Sequence, residues 1–160
     1  MKIQYITFSI SIAFISFMVG MILTALIKNT NLYKTKLSNL NFIKSDFINQ
    51  IMGVGIVKLI VKNTFFKFLN PKLKFDNKTS ISQIKAIRND MTKSEIDHLF
   101  AFLFVLIFVF NAIYNQKFLL ALIILLTNIL MNLNPSLLQQ QNKRRIDKLV
   151  SKFDRQEQTN

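Results

Sequence analysis

The sequence has no cysteine, no tryptophan, one histidine, two prolines and three glycines among 160 residues. Without cysteine there is no disulfide framework, no thiolate nucleophile and no thiolate metal site. A single histidine excludes the two-histidine metal motifs within one chain, so neither a metal nor a bound cofactor is expected. Acidic residues are scarce too, 8 against 21 Lys+Arg, which leaves a net charge of +13. In a soluble protein that excess would suggest nucleic acid. Here the charges flank long uncharged apolar runs, so the expected partner is a bilayer with anionic headgroups and not nucleic acid.

The apolar runs define the architecture. Tyr5 to Ile27 is 23 residues without a charge, enough to cross a bilayer with some tilt. A cleaved signal peptide is the alternative. The single Lys2 ahead of the run, its length, and the lack of a small-x-small site before Lys28 favour a retained helix. Leu99 to Tyr114 is again uncharged, Asn115-Gln-Lys117 reads as a tight turn, and Phe118 to Leu138 is apolar apart from Thr127 and a few amides and other polar residues. These two runs form a transmembrane helical hairpin.

Residues 28–95 carry 13 Lys/Arg and four acids, and residues 139–160 carry six Lys/Arg. Three spans put both basic segments on one side of the membrane, with Lys2 and Lys117 on the other. The positive-inside rule then sets the N-terminus outside and the C-terminus in the cytoplasm, in the cytoplasmic (inner) membrane. The expected fold class is therefore an all-α integral membrane protein. It divides into a first span (1–27), a basic cytoplasmic or interfacial segment (28–95), the hairpin (96–138) and a basic tail (139–160). Whether the chain forms a homo-oligomer is left open.

Within the basic segment, Phe47 to Ile60 (FINQIMGVGIVKLI) is too short and too charged to span comfortably. It suits an interfacial amphipathic or re-entrant helix, with a core helix of a small cytosolic subdomain as the alternative. Asn70-Pro71 breaks the chain ahead of a basic loop, residues 71–78. Ser80 and Gln83 have capping-box spacing. Ile81, Ile84, Ile87 and Met91 then mark a short amphipathic helix leading into the second span.

Two polar constellations lie near the cytoplasmic boundary. Glu95 and His98, three residues apart, share a helix face, and a carboxylate beside an imidazole can orient a general base for a hydroxyl nucleophile. Thr92-Lys-Ser-Glu95 also fits a capping box, which would give Glu95 a structural task. On the third span Asn128, Asn132, Pro135, Gln139 and Asn142 recur at steps of four and three, along one face of an ideal helix. A hairpin folding back near Gln116 sets His98 level with Asn134 and Pro135, and Glu95 level with Leu137. Lys143, Arg144 and Arg145 follow, where Lys143 and Arg145 could meet phosphate or simply anchor the helix end. Pro135 is expected to kink the span, with Asn132 and the neighbouring helix satisfying the freed carbonyl.

At these residues the sequence resembles the glycosyl-4,4'-diaponeurosporenoate acyltransferase family of small membrane proteins. The resemblance rests on Asp90 through Glu95 to His98 ahead of the second span, and on Asn132, Gln139, Asn142, Lys143 and Arg145 leaving the third. It implies transfer of a fatty acyl group to a hydroxyl of a glycosylated carotenoid or other (glyco)lipid at the cytoplasmic leaflet. The acyl thioester donor, on coenzyme A or an acyl carrier, would be a co-substrate. His98 and Glu95 would be catalytic. Asn132, Gln139, Asn142, Lys143 and Arg145 would bind substrate. The alternative is a non-enzymatic membrane scaffold in which the same polar residues are interhelical hydrogen bonds.

Overall fold

The computed structural model describes residues 2–63 and 80–159, and every regular element among them is helical. The expected break at Asn70-Pro71 and the basic loop after it lie outside the described residues. Three helices are long and apolar enough to cross a membrane: Ile3–Ile27, Ile81–Tyr114 and Phe118–Ser151. Their outward faces carry Phe14, Met18, Ile22, Leu103, Ile107, Phe110, Leu122 and Leu126, all well exposed. In water such a surface would be an aggregation liability; in lipid it is the required one. This is a membrane protein.

The first span, α1 (Lys2–Ile27), is apolar on every side, and packing is decided by size. Apart from Ile12, its buried side chains are Ser9, Ala13, Ser16 and Thr24, all small. Between Ser16 and Thr24, Gly20 lies against the backbone of Asp97 on the second span, where an added Cβ would run into the carbonyl oxygen. Small residues let helix backbones approach closely when lipid supplies no hydrophobic drive between them.

After α1 the chain makes a short helix, α2 (Asn31–Thr35), and a single 3-10 turn at Leu37–Asn39. Phe47 to Ile60 is two helices, not one: α3 (Asp46–Ile51) and α4 (Val54–Asn63), separated at Gly53, whose φ is +86°. That left-handed conformation suits glycine. Val54 and Val57 pack on Leu137 and Leu138 of the third span, while Phe47, Ile51, Ile56 and Leu59 face outward. The pair thus has two apolar faces, one on the bundle and one open.

The second span begins well before its apolar core. α5 (Ile81–Tyr114) is one helix of 34 residues, so the amphipathic segment and the span are continuous. Ser80 and Gln83 form the capping box, each side chain bonded to the other's backbone N–H. The capping alternative at Thr92 fails because the helix runs straight through it. The Thr92 hydroxyl donates to the Arg88 carbonyl instead, at 2.9 Å.

Gln116, at φ 57°, turns the chain into α6 (Phe118–Asn128). A π-turn at Ile129–Leu133 follows, then α7 (Asn134–Thr159). The π-turn answers Pro135. Proline has no N–H for the Met131 carbonyl, and the backbone widens so that the Asn134 N–H reaches the Ile129 carbonyl, five residues back. The expected kink is absorbed as one wide turn. Ile12, Val105, Val109, Ala112, Ala121 and Ile124 close the core between α1, α5 and α6.

Candidate functional site

Where α5 leaves its apolar stretch, Glu95 is fully buried. A carboxylate there is sustainable only if its lone pairs are filled. Lys143 Nζ donates to Oε2 at 2.6 Å and Gln140 Nε2 to Oε1 at 2.9 Å, while the Ser136 hydroxyl donates to the Glu95 carbonyl at 3.1 Å. Lys143 is itself 3 % exposed and also donates to the Ser38 carbonyl at 3.1 Å. Arg144 continues the pattern, donating to Asn41 Oδ1 at 3.0 Å and the Ile43 carbonyl at 2.6 Å. The linker after α1 is therefore tied across the ends of α5 and α7 by cations from α7. Lys143, expected where phosphate would be met, is buried against Glu95. Arg145 is exposed.

One turn deeper, an amide chain joins all three spans. Asn128 Nδ2 donates to the Phe102 carbonyl at 3.0 Å. Asn132 Nδ2 donates to Asn128 Oδ1 at 2.9 Å and to Ser16 Oγ at 3.2 Å. Both Asn132 amide hydrogens are thus used, and its side chain lies beside His98. Nδ1 of His98 is buried without a hydrogen-bond partner among the described residues. Phe17 of α1 stacks on the imidazole with ring centroids 4.7 Å apart.

Glu95 and His98 are neighbours on α5 but take different partners. The carboxylate turns to Lys143 and Gln140, and the amide that lies beside the imidazole is Asn132. Asp97, between them in sequence, is also buried and accepts from Lys93 Nζ at 2.9 Å.

The face of the third span that reaches Glu95 is Ser136, Gln140 and Lys143, not Pro135, Gln139 and Asn142. Ideal helical stepping from Asn128 and Asn132 predicts the second set. The π-turn adds a residue to one turn and moves the phase by one position, so every later residue on that face shifts by one. Gln139 and Asn142 are buried out of phase with it. The hairpin level itself is close to expectation, since Glu95 lies beside Ser136 where Leu137 was expected.

Sequence reasoning missed Ser136, Gln140, Ser16 and Phe17. The first two lie on the shifted face, with proline as their only signal. The α1 pair is reached only by folding. It also missed Asn49 and Asn134, which are buried with amide atoms lacking hydrogen-bond partners among the described residues. Asn134 lies on the α4 side, its Nδ2 3.2 Å from where a Cβ on Gly53 would stand.

A family model for glycosyl-4,4'-diaponeurosporenoate acyltransferase matches residues 28–152, more than half of the chain. The chain belongs to this family. No curated protein and no solved structure matches it. The matched range contains Glu95, His98, the amide chain on the third span and Lys143, and it leaves out α1. This member of the acyltransferase family therefore builds its polar centre mostly from the matched segment, with Ser16 and Phe17 added by the span before it. Family and fold together make it a membrane protein of an acyltransferase family of carotenoid biosynthesis.

Proposed function

We propose that the protein transfers a fatty acyl group to a sugar hydroxyl of a glycosylated carotenoid, or a closely related glycolipid, at the cytoplasmic leaflet. The observation that carries this reading is His98. It is an imidazole beside Asn132 whose buried Nδ1 has no hydrogen-bond partner among the described residues. An acceptor hydroxyl would give this nitrogen a partner, donating to it when the proton sits on Nε2.

The step balances without a metal. Nδ1 takes the hydroxyl proton as the oxygen attacks the acyl carbonyl. The new C–O bond forms, the bond from the acyl carbon to the donor's sulfur or oxygen breaks, and the leaving group takes the proton back from the imidazolium. The Asn132 side chain beside the ring stabilises the imidazolium in passing. Because Nδ1 is enclosed, the acceptor must displace a neighbour, and Phe17, tilted against the ring, is one side chain in contact with it. The buried Glu95–Lys143 pair acts as a brace that fixes α7 on α5 beside the imidazole.

Acyl transfer in membranes carrying the wild type or His98→Ala tests the proposal. The acceptor is a glycosylated diaponeurosporenoate, and the acylated product is read by mass spectrometry. The variant is expected to insert normally and to make no acyl product. Undiminished product from the variant would remove His98 from the chemistry.

A further inference from the structure

A cavity of about 480 Å³ opens between the α1–α2 linker and the cytoplasmic end of α5. Its walls carry Lys28, Lys34, Arg88 and Lys93 against one carboxylate, Asp90, with Tyr33 among the neutral donors. The four cations are not equivalent. Arg88 is fixed by Asp147, 2.5 Å from Nε, and reaches toward Asn39 Oδ1 at 3.5 Å. Lys93 is paired with Asp97 at 2.9 Å. Lys28 and Lys34 are exposed and have no carboxylate partner among the described residues.

Burial and the nearby Asp97 and Glu95 carboxylates push the Tyr33 phenol above its ordinary value, so it keeps its proton and remains a donor at neutral pH. The wall also includes Ser38, whose carbonyl accepts from Lys143. The cavity and the buried polar centre are thus joined by one residue.

We infer that this cavity binds a phosphate-bearing anion: two braced cations shape its wall, and Lys28 and Lys34 supply the uncompensated charge. Charge-assisted hydrogen bonds to phosphate oxygens are the strongest use of such a donor set. The volume accommodates a headgroup-sized moiety, beyond a lone ion. Resting on the proposed acyl transfer, the anion is the phosphate handle of the acyl donor, held at the membrane surface while the chain lies toward His98. Its chemical source is either a soluble phosphorylated thioester carrier or the phosphodiester of an anionic lipid.

The test uses the full-length protein in phosphatidylcholine nanodiscs. Coenzyme A is titrated by calorimetry in one arm. In the other, phosphatidylglycerol retention is measured by native mass spectrometry. Lys28→Glu/Lys34→Glu is compared with Lys58→Glu/Lys148→Glu, which reverses two exposed lysines away from the cavity. At least one ligand is expected to bind the wild type, with affinity falling about 30-fold or more in the first variant and within about twofold of wild type in the second. Coenzyme A binding identifies a soluble donor, and phosphatidylglycerol alone identifies a lipid donor. Equal weakening by both variants, or no binding in either arm, overturns the inference. Both readouts are binding without turnover, so they stand or fall separately from acyl transfer.

Discussion

Replacing Lys143 with methionine keeps the side-chain volume and removes the charge opposite Glu95. The carboxylate then has no exposure and only the Gln140 amide, 2.9 Å away, on one of its two oxygens. A buried ion stripped of its partner costs about 3–5 kcal/mol. Glu95→Gln should cost a similar amount, because the Lys143 ammonium would retain the Ser38 carbonyl but lose its carboxylate partner. In Glu95→Gln/Lys143→Met both charges are gone, and with them the desolvation cost that each single variant exposes. The double variant should therefore fall within about 1 kcal/mol of wild type, a coupling of at least about 5 kcal/mol. For a chain of this length 1 kcal/mol moves the melting temperature by about 2–4 °C, so each single variant should melt about 6–20 °C lower. Thermal melts of the four proteins in one detergent measure this. Additive losses, or single variants that melt with the wild type, would show that the carboxylate and ammonium are not a buried pair.

Two further outcomes concern how the spans meet. Gly20→Ala should loosen α1 from α5, because the new Cβ meets the Asp97 carbonyl oxygen and backbone cannot yield as a side chain can. A loss of about 1–3 kcal/mol in the same melts is expected, and wild-type stability would refute the close approach. The cysteine-free chain also allows the shifted register to be read directly. In a Lys143→Met background, a short thiol-reactive linker should join the Glu95→Cys/Gln140→Cys pair more readily than Glu95→Cys/Gln139→Cys. Pro135→Ala should reverse that preference by removing the cause of the π-turn, which turns the later residues by about 100°. An unchanged preference in Pro135→Ala would separate the register from the proline.

Much of the fold is legible because lipid leaves the chain few options. Runs such as Tyr5–Ile27 must be helical to satisfy their backbone in lipid. The Ser80–Gln83 cap is legible because it is local. What escapes is whatever depends on phase or on distant partners. A stripe drawn at helical spacing from Asn128 carries through Pro135 to Gln139 and Asn142, and a single wide turn moves it to Ser136, Gln140 and Lys143. Lys143 reads as a headgroup anchor because three adjacent cations usually are one. Only the return of residues 37–43 over the helix ends encloses it. Phe17 sits in an apolar run where nothing marks one phenylalanine from another until the imidazole of His98 lies against it.

The central claim is that His98, beside Asn132, is the base for acyl transfer. Its most direct test is the rate at which wild-type, His98→Ala and Asn132→Leu membranes acylate a glycosylated diaponeurosporenoate, normalised to inserted protein. General-base catalysis contributes about 10²–10⁴-fold. The account predicts a loss of that size for His98→Ala, and a smaller loss for Asn132→Leu with a shifted pH profile. Wild-type rates in His98→Ala would contradict it.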